Sequence, residues 1–488
     1  MTTNGKTIEE RLTLFDTYLE RTKMDKKQYQ YDGVRWILNN ELRDDPLCGV
    51  RGGIIADEMG LGKTIMMIGT MLCNFVPKTL VVVPPVLIDQ WYVQIYRTTG
   101  HKALIYHGEE KKNITLEDLE QAKIVICTYS GVTLTRQQIA AKLLTDLHKI
   151  AWTRIVFDEA HHLRNGKTTR YFGVRILQAN IRWLVTGTPI QNRKKDFYNL
   201  CNILRLPASF YTNMDSLKQN ARDFIMKRTK QQVGIQIADL YVGKNMVQWA
   251  NEKEKELSEE IHSALSFSKA RLKGGARILN ALSEYTLPLI MRARQSCIYP
   301  KLMAGELNKL VERGIMTDYS EYKEAFDHSS KLDYVVKKIL ERKDNGCGKI
   351  IFCHFREEID EIAARLRTGG MLKVATLDGR TSNGKRFDVL NEKNDALILQ
   401  IQTGCEGLNL QENYSEIYFI SPHWNPAVED QAIARCHRIG QTKPVYVERF
   451  EMCSFMYDDQ ETDSKTVDNY VTSVQDDKRV VANKILGN

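Results

Sequence analysis

The sequence predicts an α/β protein with two parallel-sheet lobes and a helical insert between them. Short apolar, β-branched runs recur in the first part of the chain, and stretches able to form helices separate them. Residues 208–325 instead carry long polar–apolar segments of helical period, and apolar strand runs return after residue 348. Strands that are apolar on both faces and alternate with helices are typical of parallel sheets covered on both sides.

Each lobe is predicted from five such runs. The expected strands of the first lobe are Gly53–Ala56, Thr79–Val83, Lys123–Cys127, Arg154–Phe157 and Trp183–Thr186. Those of the second are Lys349–Cys353, Leu372–Thr376, Ala396–Ile401, Glu416–Ile420 and Val445–Phe450. The predicted organisation is an N-terminal helical segment (1–24), the first lobe (25–207), a basic helical insert with linker (208–328), the second lobe (329–460) and a C-terminal brace helix (461–488).

Composition excludes several classes of protein. The 488 residues are 43% hydrophobic and 27% charged, which is ordinary for a globular protein of about three domains. No apolar run approaches the roughly 20 residues needed to span a bilayer, and the N-terminus lacks the apolar core of a signal peptide. Ten cysteines occur without a CxxC pair, which argues against structural zinc and for a reducing, intracellular compartment.

Positive charge is concentrated in one segment. Residues 193–301 carry a net charge of +9, whereas the whole chain carries +8. A basic excess confined to one region suits a surface that faces a polyanion. Within it, Lys269, Arg271 and Lys273 are predicted to contact backbone phosphates. The alternative is a helical face that is merely solvated.

The stretch "DEMGLGKT" at residues 57–64 lies between a predicted strand and a predicted helix. Gly60 and Gly62 allow the backbone to approach a phosphate closely, and N–H groups at a helix start favour anions. Lys63 would reach the β- and γ-phosphates, and the Thr64 hydroxyl would hold Mg²⁺. The standard pattern has glycine where this chain has Asp57. The predicted nucleotide-binding residues here are Asp57, Glu58, Met59, Gly60, Leu61, Gly62, Lys63 and Thr64.

A matching acidic pair follows the strand Arg154–Phe157. ATP hydrolysis needs one carboxylate near Mg²⁺ and a neighbour that orients water for attack on the γ-phosphate. Asp158 and Glu159 fit these roles, with Asp158 as the second metal ligand. His161 is predicted to sense the nucleotide and relay its state. His354 follows a buried strand and lacks partners, so we expect no metal site other than that for Mg²⁺.

Together these motifs resemble the SWI/SNF-like branch of the superfamily 2 helicase-type ATPases. The resemblance rests on "DEMGLGKT", "DEAH" (158–161), "LVTGTPIQN" (184–192), "YQYDGVRW" (29–36), "IMKRTKQQV" (225–233), "TGCEGLNL" (403–410) and "HWNPAVEDQAIARCHRIGQ" (423–441). It implies two RecA-like lobes that use ATP and Mg²⁺, with Gln30 placed to read adenine and Trp424 placed to touch nucleic acid. A core tryptophan is the alternative for Trp424. Asp57 is the usual residue in this branch, whereas Cys405 stands where glycine is more common.

The stretch "QAIARCHRIGQ" has a physical interpretation of its own. Gln431, Arg435 and Arg438 are spaced four and three residues apart, which predicts that they share one face of a helix. Two guanidiniums there can neutralise the charge that builds on the γ-phosphate, as arginine fingers do. Gln431 is predicted to couple nucleotide state to lobe closure. The alternative is a basic helix facing solvent.

The resulting functional hypothesis is an ATPase that translocates on double-stranded DNA and displaces or remodels protein–DNA complexes. A strand-separating DNA or RNA helicase is the first alternative, because both types share the two lobes. The helical insert and "HRIGQ" favour the first hypothesis. A non-hydrolysing, ATP-gated scaffold is the second alternative, which the complete set of catalytic residues disfavours. The expected location is the nucleus, or a viral or bacterial cytoplasm.

Overall fold

The computed structural model describes residues 6–190, 193–271, 286–404, 408–457 and 464–486. These residues form two compact units. The first comprises residues up to 236 together with those from 480, and the second comprises Ile237–Arg479. Residues 208–236, which the sequence assigns to the insert, therefore belong to the first unit.

A parallel sheet of seven strands forms the centre of the first unit, in the order β3-β4-β2-β5-β6-β1-β7. The strands are β1 (Arg51–Ile55), β2 (Thr79–Val83), β3 (Leu104–Tyr106), β4 (Ile124–Thr128), β5 (Ala151–Asp158), β6 (Gln178–Val185) and β7 (Ile225–Met226). The helices around it are Ile8–Arg21, Gln28–Leu42, Lys63–Cys73, Ile88–Thr99, Leu116–Gln121, Arg136–Ala140, Asp146–Lys149, Thr169–Ile176, Lys194–Ile203, Ala208–Thr212 and Met214–Phe224.

Alternate residues of these strands enter two different apolar cores, one on each face of the sheet. In β2, Leu80 and Val82 belong to one cluster, and Val81 and Val83 belong to the other. Each fully buried aliphatic side chain stabilises the fold by about 1.5–3 kcal/mol. The predicted parallel sheet with helices on both sides is thus confirmed for the first unit.

The second unit repeats this plan with six parallel strands in the order β10-β11-β9-β12-β13-β8. The strands are β8 (Leu240–Val247), β9 (Gly348–Cys353), β10 (Val374–Leu377), β11 (Ala396–Gln400), β12 (Tyr414–Phe419) and β13 (Val445–Met452). Its helices are Glu252–Ser263, Thr286–Ile298, Ala304–Glu312, Lys323–Phe326, Ser330–Leu340, Arg356–Gly370, Asn383–Asn391, Ile401–Gly404 and Pro426–Ile433, followed by Val467–Leu486, whose last residues from 480 belong to the first unit. None of the helices in the described ranges is both long and apolar enough to cross a bilayer.

The expectation that residues 208–325 contain almost no strand is wrong at two places. Strand β7 adds a short edge to the first sheet, and β8 pairs along its whole length with β13. The sequence of β8, "LYVGKNMV", includes residues that are rare in strands, and most of its side chains are partly or fully exposed. Its strand conformation depends on pairing with a strand about 200 residues later, which local patterns do not reveal.

Candidate nucleotide site

Three neighbouring strands of the first sheet end at the same edge and bring the first-lobe motifs together. Ile55 of β1 lies beside Val185 of β6, and Val185 lies beside Asp158 of β5. The backbone N–H of Thr186 donates to the carbonyl of Ile55 at 3.0 Å. Ligands of open parallel sheets bind at this carboxyl edge, which makes it the candidate site.

The loop after β1 has the backbone of a phosphate cradle. Gly60 and Gly62 have φ angles of 91° and 80°, a region that disfavours residues with a Cβ. A Cβ on Gly62 would also lie 2.4 Å from Nε2 of Gln30. The helix Lys63–Cys73 begins immediately after Gly62 and directs its N-terminal N–H groups toward the loop.

Lys63 lies at the centre of this cradle. Its Nζ donates to the backbone carbonyl of Asp57 at 2.8 Å, and a Cβ on Gly187 would lie 3.3 Å from the same atom. Thr64 follows in the first turn of the helix. The residues that the sequence predicts for phosphate and Mg²⁺ binding are therefore adjacent in space to the edge where β5 and β6 end.

Asp158 accepts hydrogen bonds at both carboxylate oxygens beside this loop. The indole Nε1 of Trp91 donates to one carboxylate oxygen at 2.7 Å, and the backbone N–H of Glu159 donates to the other at 2.9 Å. Burial, and next the negative charge of Glu159, raise the pKa of Asp158 to about 6, while Lys63 opposes this shift. A bound divalent cation would favour the ionised form, so the carboxylate suits an Mg²⁺ site. Within the described residues no group of three or more His, Cys, Asp or Glu side chains could hold a metal ion.

A polar chain leads from the acidic pair to the end of β6. The Glu159 carboxylate lies 3.2 Å from Nδ1 of His161, and the same nitrogen lies 3.4 Å from the hydroxyl of Thr186. That hydroxyl accepts from the backbone N–H of Thr188 at 3.2 Å. His161 thus contacts both the acidic pair and the "TGTP" motif, as a residue that relays nucleotide state must. Its coupling role stays a prediction.

Gln30 contacts the phosphate loop itself. Its Nε2 donates to the carbonyl of Leu61 at 3.2 Å and to the hydroxyl of Tyr29 at 3.3 Å. The side chain is almost fully buried. The predicted contact with adenine is untested, but the glutamine already joins the helix Gln28–Leu42 to the loop.

Sequence analysis missed several residues that shape this site. Arg228 and Lys230 form ion pairs with Asp57 and Glu58, the first two residues of the loop. The family-like stretch "IMKRTKQQV" contains both cations, but no spacing rule connects them with carboxylates about 170 residues earlier. Trp91 was also missed, and so was Thr186 as a single residue, although it lies in the motif "LVTGTPIQN".

In the second unit, one structural prediction is wrong. The helix that contains Gln431 ends at Ile433, so Arg435 and Arg438 lie in the turns that follow and do not share a helical face with it. The physical reason is local: tighter turn hydrogen bonds, from the N–H of Arg435 to the carbonyl of Ala432 and from the N–H of Cys436 to that of Ile433, replace the regular helical pattern. Burial, and next the positive charge of Arg435, lower the pKa of Arg438.

Arg435 and Arg438 form hydrogen bonds with other residues of the second unit. A guanidinium nitrogen of Arg438 donates to the amide oxygen of Asn409, and the backbone carbonyl of Arg435 accepts from Leu410. Gln431 is buried, and its Nε2 has no hydrogen-bond partner among the described residues.

The predicted nucleic-acid residues lie in different surroundings. Trp424 is half-buried against Arg294, whose guanidinium carbon lies 5.6 Å from the indole, and against Tyr470. Lys269 and Arg271 are exposed and follow the helix Glu252–Ser263. Arg271 lies over the ring of Tyr457 at 4.8 Å. Lys273, Gln191, Asn192 and Cys405 lie outside the described residues.

Comparisons with known proteins agree with these observations. A family model described as the SNF2-related domain matches residues 29–302, and one described as the helicase conserved C-terminal domain matches residues 330–440. The probable global transactivator of Orgyia pseudotsugata multicapsid polyhedrosis virus is 27% identical over 479 residues, which cover 94% of this chain and 91% of that protein.

Larger relatives match through part of their length. The ISWI chromatin-remodeling complex ATPase ISW2 of Saccharomyces cerevisiae is 28% identical over 465 residues, which cover 87% of this chain and 38% of that protein. A solved structure, the Sulfolobus solfataricus SWI2/SNF2 ATPase core in complex with dsDNA, is 22% identical with a TM-score of 0.40, covering 95% of this chain and 93% of that chain.

Proposed function

Because this chain belongs to the SNF2-related domain family, whose model matches more than half of its residues, we propose that it is an ATP-driven motor on double-stranded DNA. In this proposal the motor displaces or remodels protein–DNA complexes. The observation that carries it is the convergence of Lys63, Asp158 and Glu159 at one sheet edge, joined through His161 to the end of β6.

The first unit would bind and hydrolyse the nucleotide. Lys63 and the N–H groups at the start of its helix would hold the β- and γ-phosphates, and Thr64 and Asp158 would hold Mg²⁺. Bound Mg²⁺ supplies positive charge that neutralises the phosphate oxygens. Glu159, which is more exposed than Asp158, would orient the attacking water and take its proton.

The second unit would contribute Arg435 and Arg438 to the same reaction. Two guanidiniums near the γ-phosphate would stabilise the charge of the transition state. Hydrolysis that needs residues from both units would couple nucleotide state to their relative motion, and units that grip DNA at different points would then step along it. The exposed Lys269 and Arg271, together with Lys273, would contact DNA phosphates, and Trp424 would contact the nucleic acid.

The test compares substrates rather than variants. ATP hydrolysis is measured with duplex DNA, single-stranded DNA and RNA, and strand displacement is measured on a triplex and on a simple forked duplex. Glu159→Gln serves as the inactive control. We expect duplex DNA to stimulate hydrolysis most, and the third strand to leave the triplex while the fork stays paired.

Two results would contradict the proposal. Efficient ATP-dependent unwinding of the fork without triplex displacement would favour a strand-separating helicase. Nucleotide binding without hydrolysis on any nucleic acid would favour an ATP-gated scaffold.

A further inference from the structure

The aspartate that replaces glycine at the start of the phosphate loop has a dedicated partner. Asp57 is fully buried, and Nε of Arg228 lies 3.2 Å from each of its carboxylate oxygens. A second guanidinium nitrogen, Nη2, lies 2.5 Å from Oδ2. This forked geometry is the strongest form of a charge-assisted hydrogen bond between a guanidinium and a carboxylate.

The surroundings of Arg228 are shaped to hold the guanidinium in this position. Its Nη1 donates to the backbone carbonyl of Tyr29, and the phenol ring of Tyr29 lies 5.8 Å from the guanidinium carbon. A Cβ on Gly33 would lie 2.3 Å from Sδ of Met66 and 3.0 Å from Nη2 of Arg228. Arg228 therefore joins the loop to the helix Gln28–Leu42, which also carries Gln30.

Residues 225–230, which we call the clasp, also form backbone hydrogen bonds with the start of the phosphate loop. The N–H of Ala56 donates to the carbonyl of Met226, the last residue of β7, at 2.7 Å, and the N–H of Glu58 donates to the carbonyl of Arg228 at 2.9 Å. The N–H of Lys230 then donates to the Glu58 carboxylate at 2.8 Å, and its Nζ lies 3.1 Å from the other oxygen. Ala56 and the first two loop residues, Asp57 and Glu58, are thus held by the clasp through backbone and side-chain contacts.

We infer that Arg228 is a positioning residue for nucleotide binding. It neutralises the buried Asp57 and thereby fixes the start of the phosphate loop. This inference rests on the proposed function, in which the loop binds the phosphates of ATP. An unpaired carboxylate so close to a polyphosphate would repel it strongly, since buried charges are poorly screened. Asp57 and Arg228 therefore act as a pair that replaces the neutral glycine of the standard loop.

The experiment separates charge neutralisation from simple packing by a double-mutant comparison. Binding of a fluorescent ADP analogue is titrated for the parent chain, Arg228→Met, Asp57→Asn and the combined variant. We expect Arg228→Met to weaken binding about 10- to 100-fold, because it leaves a buried carboxylate unpaired. Asp57→Asn removes the buried charge and is the reference for the combined variant, which should bind within about threefold of Asp57→Asn and regain most of the affinity that Arg228→Met loses.

Further measurements keep the outcome interpretable. Arg35→Met removes an exposed ion pair with Glu9 and should bind as the parent does. Thermal unfolding checks each variant, and Arg228→Lys replaces Arg228→Met if the latter fails to fold, with a smaller but measurable loss expected. Where hydrolysis is measured, Arg228→Met should raise KM for ATP more than it lowers kcat.

Equal affinity of the parent and the Arg228 variant would overturn the inference. So would a combined variant that binds no better than Arg228→Met, because a packing role predicts no recovery. Failure of the parent chain itself to bind nucleotide would refute the proposed function instead, so the two failures are distinguishable.

Discussion

Glu159 combines an unusual backbone conformation with a partly exposed carboxylate. Its φ and ψ angles of 49° and 47° lie in the left-handed region, which costs a residue with a side chain roughly 1–2 kcal/mol. Asp158, directly before it, is almost fully buried, whereas the Glu159 side chain is about one-quarter exposed. Strained residues of this kind cluster at functional sites, where the fold compensates for their cost. The turn gives two consecutive carboxylates different environments and therefore different uses.

The residue-scale prediction concerns this difference. Glu159→Gln should bind ATP normally and lose hydrolysis by about 10²- to 10⁴-fold, because the amide keeps the shape but cannot take a proton from water. Lys63→Ala should instead weaken both binding and turnover. Nucleotide titration and steady-state phosphate release measure the two effects. Near-normal turnover of Glu159→Gln would remove it from the role of base.

At the scale of elements, helices outside the sheets are joined by buried polar contacts as well as by apolar packing. His262, at the end of the helix Glu252–Ser263, accepts at Nε2 from the N–H of Val467 at 2.9 Å. Its Nδ1 lies 2.7 Å from the carbonyl of Ser258, so Nδ1 carries the proton of the neutral ring. Cys297 and the charge of Asp468 lie nearby. The imidazole therefore joins two helices of the second unit only while it is neutral.

This arrangement predicts a pH dependence of stability. Burial lowers the pKa of His262 from 6.5 to about 4, so its contribution is fully present above pH 6.5 and is lost as the pH falls toward 4. The loss of unfolding free energy should reach about 3 kcal/mol. Urea unfolding at several pH values checks this.

Two variants test the assignment to His262. His262→Gln should flatten the pH dependence, whereas His328→Gln, which changes an exposed histidine of the same unit, should leave it unchanged. Burial also lowers the pKa values of His354 and His423. Part of the pH dependence of stability should therefore remain in both variants. An equally steep slope in His262→Gln and the parent would contradict the prediction.

At the scale of the whole molecule, the proposed reaction uses residues from both compact units. In the proposed mechanism the first would supply the phosphate loop and the acidic pair, and the second would supply Arg435 and Arg438. Neither set is sufficient if transition-state charge must be neutralised by the arginines. The two family models match one after the other along the chain, the first at residues 29–302 and the second at residues 330–440.

Single substitutions of the arginines test this dependence. Arg435→Ala and Arg438→Ala should each lower DNA-stimulated turnover by about 10³- to 10⁵-fold and change ATP affinity only a few-fold, because an arginine finger acts on the transition state. Arg367→Ala, an exposed arginine of the same unit, is the matched control. If both variants turned over ATP as the control does, the arginines would have no part in hydrolysis.

The sequence by itself predicted the two parallel sheets, which the structure confirms, and it singled out the loop and the acidic pair that the structure brings to one sheet edge. Buried strands such as β2 and β9 are recognisable from local runs of apolar residues, and the motifs lie where those strands end. Only the tertiary structure decided the strand β8, the pairing of Arg228 with Asp57, and the end of the helix at Ile433. The physical reason is that hydrophobic periodicity reports only the burial of residues close together in the sequence. Strand β8 and the Arg228–Asp57 pair depend on partners far along the chain, and the helix end depends on a local turn that competes with the helix.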